Sequence, residues 1–172
     1  MKLNEYQDAA ISTAIYPGRL YYPTLGLAGE AGELMAVCLM KDEENIVKET
    51  GDCLWYVANV AHDAGLALSD IRFSWKKSKH LCWDSMEACK YLTVNVGKVA
   101  ENVKKTFRDN AGELTDARRK NIKKALGDIL QLLSCVSLGG AGVTLERCAE
   151  INIDKLRSRQ ERGKLGGDGD SR

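Results

Sequence analysis

Four carboxylates in two pairs are the residues of this chain best suited to chemistry. Glu30 and Glu33, and then Glu49 and Asp52, are each spaced i, i+3, which on a helix puts both members of a pair on one face. Each pair is then a two-pronged oxygen clamp. If the two helices pack antiparallel, as a short connection favours, the clamps face each other. Four converging carboxylates cannot all stay ionised in a partly apolar site without a cation between them. Hard oxygen ligands suit Mg²⁺ or Mn²⁺ and do not suit zinc. The bland alternative is a solvated face with incidental acids. Against it, residues 34–37 offer no lysine to answer the acids, and both pairs are bedded in apolar residues: Leu25, Leu27 and Leu34 beside one, Leu54, Trp55 and Val57 beside the other. Gly26, Gly29 and Gly32 each cost a helix about 1 kcal/mol relative to alanine. Close approach by a helix or a ligand is a use that would justify them.

The elements that must position these acids are helices. Apolar positions recur every three and four residues, and strict alternation is nearly absent. The pattern predicts helices over 3–15, from Thr24 as N-cap to 40, over 46–63 with Ala64-Gly65 as its end, and over 68–82. Asp84 with Glu87 has the form of a capping box and predicts a fresh helix over 85–107. Further helices are predicted over 117–137 and 144–161, with Gly139–Gly142 as the loop between them. About seven helices and no convincing sheet make an all-α bundle. Only Pro17 and Pro23 occur, so everything beyond residue 23 can be helical without a proline break.

Bulk properties exclude several classes. The 172 residues carry 44% hydrophobic and 28% charged side chains and a net charge of +1. That balance gives a core without a bulk excess to drive nucleic-acid or membrane binding. The charge is uneven, because residues 155–164 hold Lys155, Arg157, Arg159, Arg162 and Lys164 against Glu161 alone. The six cysteines form no C-x-x-C pair and read as buried apolar residues of a reducing cytoplasm. Neither a signal peptide nor a membrane span is expected. His62 and His80 are isolated and are given no catalytic role.

An internal repeat is visible. Ile46-Val-Lys-Glu-Thr-Gly-Asp-Cys-Leu aligns with Ile122-Lys-Lys-Ala-Leu-Gly-Asp-Ile-Leu, and Gly29–Glu33 aligns with Gly97–Glu101. In the second copy Lys98 stands for Glu30 and Ala125 for Glu49, while Glu101 and Asp128 persist. The reading is two tandem repeats packed as a pseudo-dimer within one chain. Residues 1–82 form the repeat that carries the metal site, 83–162 a degenerate repeat, and 163–172 a flexible glycine-rich tail.

The segments LGLAGEAGEL (25–34), KETGDCLWYVA (48–58) and NIDKLRSRQERG (152–163) resemble the MazG-like all-α nucleotide pyrophosphohydrolases. Glu30 and Glu33 match that family's E-x-x-E and Glu49 and Asp52 its E-x-x-D, with residues 34–48 as the spacer. Position 29 is glycine, so the extra leading glutamate of the family pattern is missing. The resemblance implies Mg²⁺-dependent hydrolysis of a nucleoside triphosphate to the monophosphate and pyrophosphate, with Mn²⁺ as a substitute. It assigns Glu30, Glu33, Glu49 and Asp52 to metal, with Glu33 and Glu49 catalytic. Lys155, Arg159 and Arg162 would meet the phosphates, and Asn152 resembles the family's ligand-contacting asparagine. Gln7 and Trp55, with Tyr21 and Tyr22, are the candidates to meet the base. A homodimer is a further expectation. The competing readings are a base-selective dCTP or dUTP hydrolase and a helical regulator that binds nucleotide or metal without turnover.

Overall fold

In the computed structural model, residues 1–71, 73 and 84–166 are described. They form α1 (Leu3–Ser12), α2 (Tyr21–Met40), α3 (Glu43–Asp63), a 3-10 turn (Leu68–Asp70), α4 (Ser85–Asn110), α5 (Asp116–Ala141) and α6 (Leu145–Glu161). Six α-helices, one 3-10 turn and no strand among the described residues agree with the all-α expectation. The first helix stops before residue 15 because Ser12 and Thr13 turn their hydroxyls back onto the carbonyls of Ala9 and Ala10, at 2.7 and 2.8 Å. Thr24 is not an N-cap. The helix begins at Tyr21, Pro23 sits in the first turn where its missing N–H is no loss, and the Thr24 hydroxyl donates to the Leu20 carbonyl at 2.7 Å.

Only Lys41 and Asp42 separate α2 from α3. Lys41 adopts a left-handed conformation (φ 55°), and the Asp42 carboxylate accepts from the Asn45 N–H at 3.1 Å. The acids of both helices are thus carried by a tight antiparallel hairpin. Asp84 caps α4 as expected, accepting from the Met86 and Glu87 N–H groups. The loop predicted at Gly139–Gly142 is mostly helix. Gly140 lies inside α5, where an added Cβ would come within 3.1 Å of Ile46 Cδ1 and 3.3 Å of Ser85 Cβ. The glycine serves close packing there, and the turn falls to Gly142 with φ 67°. The predicted helix over 68–82 begins as the 3-10 turn and lies otherwise outside the described residues, as does the tail beyond Gly166.

The hairpin α2–α3 faces a second hairpin, α4–α5. Helix α2 packs on α3 and α4, and α5 packs on α4 and α3, which closes a four-helix ring. Leu27, Leu34, Leu54, Leu92, Leu126 and Leu130 fill its centre. Helices α1 and α6 both lie against α3, so α3 is reached from four sides. The described cysteines are buried thiols, with Cys82 outside the described residues. Among the described residues no single helix is long and apolar enough to cross a membrane.

One contact sets the register of the first hairpin. A Cβ on Gly26 of α2 would overlap the Tyr56 ring of α3. Gly26→Ala is therefore expected to destabilise the fold by about 1–3 kcal/mol through overpacking. Urea unfolding should show a lower midpoint at an unchanged slope. An unchanged midpoint would mean the ring swings aside freely.

Candidate metal centre

The Gly26–Tyr56 contact fixes what lies one turn further on. Stepping four residues along α2 and four back along α3 brings Glu30 level with Asp52. Oxygens of Glu30, Glu49 and Asp52 accordingly lie within 4.8 Å of one another. Glu33, at the exposed edge, does not join that trio, although its charge still bears on Glu30. The buried Cys53 thiol lies behind the cluster. Burial, and then the charges of Glu30, Asp52, Glu49 and Glu33, push it well up.

The crowding has a cost that marks the site. Burial first, then the charges of Asp52, Glu33 and Glu49 and a hydrogen bond to Glu49, push Glu30 up to about 8 from an ordinary 4.5. One proton held between two carboxylates is the substitute for a cation. Three hard oxygen donors in a site that tolerates so little uncompensated charge fit Mg²⁺ or Mn²⁺.

This pairing has a measurable consequence. With no cation, the folded chain holds a proton on Glu30 that the unfolded chain has already released. The stability it contributes is full below pH 4.5 and is lost as pH rises towards about 8. A cation needs the ionised form and competes with that proton. Mg²⁺ or Mn²⁺ should therefore raise Tm strongly at about pH 8.5 and little at about pH 5.5. Thermal melts with and without chelator check this. A shift equal at both pH values would contradict the shared proton.

The third wall of the site comes from the far end of the chain. Helix α6 crosses α3 at Gly51, where an added Cβ would lie 2.9 Å from Asn152 Cβ and 3.3 Å from the Cys148 carbonyl oxygen. That closeness lets Asn152 Nδ2 donate to Asp52 Oδ1 at 2.7 Å, and lets Lys155 Nζ contact both Asp52 oxygens at 2.8 and 2.6 Å. Residues 100 and 103 positions away in sequence thus hold one carboxylate. Asn152 is buried and its Oδ1 has no hydrogen-bond partner among the described residues. Arg159 is buried on the same helix, while Arg162 is exposed and donates from Nε to the Ser158 carbonyl at 3.2 Å.

The base-side candidates divide. Gln7 donates to the Ala58 and Leu66 carbonyls and accepts from the Leu68 N–H. Its amide pins the 3-10 turn to α3 and has no hydrogen left for a base. Trp55 is committed at Nε1, which donates to the Ala10 carbonyl and the Thr13 hydroxyl at 3.0 and 2.9 Å, but its ring is half-buried. It meets Tyr16 and Tyr56 edge-on, and Tyr16 stacks on Tyr22 with centroids 4.7 Å apart. An aromatic wall therefore stands one turn from Asp52. Sequence reading missed Tyr16 and Tyr56 as parts of it. Tyr21 instead packs on Phe107.

The second hairpin holds no comparable cluster among the described residues. Its acids are answered by lysines: Glu101 by Lys104 and Lys105, and Asp128 by Lys124. Lys98 donates to Asn95, and Ala125 is buried. Trp75 and Ser78, which stand in the first repeat where Asn152 and Lys155 stand in the second, lie outside the described residues.

Comparison with known proteins gives two findings. The family model described as the MazG nucleotide pyrophosphohydrolase domain matches residues 23–77, the span that carries all four acids. The chain is also 33% identical over 93 residues to the Gene 37 protein of Mycobacterium phage L5, across 52% of this chain and 81% of that protein. No solved structure matches.

Proposed function

Because the chain belongs to the MazG nucleotide pyrophosphohydrolase family, we propose that it hydrolyses a nucleoside triphosphate to the monophosphate and pyrophosphate with Mg²⁺. The carboxylate trio, closed from the far end of the chain by Lys155 and Asn152, is the observation that carries this reading. A bound Mg²⁺ or Mn²⁺ would supply charge to the phosphate oxygens and acidify a water.

The roles of the side chains follow from their placement. Glu30, Glu49 and Asp52 would hold the cation. Glu33, exposed and outside the trio, is the carboxylate left to orient a water and take its proton. Lys155 neutralises Asp52 in the resting site. With Asp52 committed to a cation, Lys155 would be free to meet the phosphates, where negative charge builds as pyrophosphate leaves. Arg159 follows it on α6 and Arg162 just past the helix end. Trp55, with Tyr16 and Tyr22, offers aromatic surface to the base. One site per chain, with the second hairpin standing in for a partner subunit, is the arrangement that dispersed acids in that hairpin support.

A panel of ribo- and deoxynucleoside triphosphates with Mg²⁺ tests the proposal. Pyrophosphate without free phosphate, abolished by chelator, is the expected product pattern. A single deoxynucleotide dominating the panel would identify a base-selective hydrolase. No release from any nucleotide would leave a binding protein.

A further inference from the structure

We propose that the second hairpin carries an anion site of its own, which takes a phosphoanhydride group without a divalent cation. A cleft of about 740 Å³ opens over α4 and α5, with Asp70, Tyr91, Lys120, Lys123, Lys124 and Asp128 among its lining residues. That volume lies within the roughly 300–1,000 Å³ of small-ligand sites. The three lysines are spaced i, i+3 and i+4, so they share one face of the first turns of α5.

Their charge is answered only in part, by Asp70 and Asp128 across the same cleft. Lys124 contacts Asp128 at 3.5 Å. Lys120 and Lys123 have no carboxylate partner among the described residues, whereas Lys48, Lys90, Lys104, Lys105 and Lys155 each have one. Like charges on neighbouring turns of a helix repel unless an anion sits among them. Several ammonium groups spread along a turn match an anion with more than one phosphoryl unit better than a lone carboxylate.

The cleft meets the positions of the first hairpin's acids at one residue, Asp128. Counted from the shared Gly-Asp pair, Gly51-Asp52 and Gly127-Asp128, Ala125 stands where Glu49 does. Gly127 and Asp128 line the cleft. In the same register Lys120 and Lys123 stand where the first hairpin has Glu44 and Val47, so this face has gained positive charge. The half-exposed Tyr91 ring and the Asn95 and Gln131 amides form the remaining wall, suited to a nucleoside attached to the anhydride. This inference is independent of the chemistry proposed for the first hairpin.

Calorimetric titration of the full chain in excess chelator tests it, with inorganic pyrophosphate and nucleoside diphosphates as probes. The expected result is one site per chain that weakens as salt is raised. Lys120→Glu with Lys123→Glu should weaken it by about tenfold or more, and Lys155→Ala should leave it intact. Circular dichroism checks the fold of the double variant, and Lys120→Gln with Lys123→Gln repeats the test with a smaller charge change. Tighter binding of a diphosphate than of pyrophosphate, lost in Tyr91→Ala, supports a nucleotide ligand; equal binding supports the free anhydride. No heat with either probe would overturn the proposal. So would binding lost in Lys155→Ala and kept in the double variant.

Discussion

Glu49→Ala is expected to lower pyrophosphate release by about a thousandfold or more, equivalent to roughly 4 kcal/mol of transition-state stabilisation. Glu49 is one of three oxygen donors within 4.8 Å of each other and the hydrogen-bond partner of Glu30. Its removal takes away a donor that neither Glu33, outside the trio, nor Asp52, already counted within it, can replace. The same change relieves repulsion. Without Glu49, Glu30 ionises more readily, so the metal-free protein should melt no lower than wild type at neutral pH. Activity and stability thus move separately. A variant that lost both together would point to a structural role for Glu49, and one that kept its rate would remove the trio from the chemistry.

Gly51→Ala is the second large effect, and it acts through a helix crossing. The added Cβ would press on Asn152 Cβ and on a main-chain oxygen of α6, and a main-chain oxygen cannot move without its helix. The expected cost is about 1–3 kcal/mol of stability. Moving α6 outward also takes Asn152 and Lys155 off Asp52. A shift approaching an ångström at a catalytic group costs on the order of a hundredfold in rate. Gly97→Ala is the control, because that helical glycine has nothing within 4 Å of an added Cβ. It should stabilise by up to about 1 kcal/mol with unchanged activity. Wild-type kcat/KM in Gly51→Ala would show that α6 does not position the site.

The parts of this account that could be read in the sequence are those set by local periodicity. The i, i+3 spacing of the acids predicts two clamps on two helices, and a tight hairpin brings their helices together. Asp84 predicts its own capping role because an N-cap needs only a short acceptor before a helical run. What could not be read depends on distant partners. Gly140 looks like a turn residue in sequence but is needed small by Ile46, on another hairpin. Gln7 looks like a free amide but is spent on three main-chain groups more than fifty residues away. Spacing placed Glu33 on the right helix face without showing that it lies outside the trio. Gly51 offered a signal, a mid-helix glycine directly before an aspartate of the trio, and its use emerges only when α6 is laid across it.

The most direct test of the central claim is where the oxygen of water goes. Turnover of a preferred nucleotide in ¹⁸O-labelled water, with Mg²⁺ present and products resolved by mass spectrometry, reads the phosphorus under attack. The account predicts label in the nucleoside monophosphate and none in pyrophosphate. Label in free phosphate, with a nucleoside diphosphate as the other product, would contradict it.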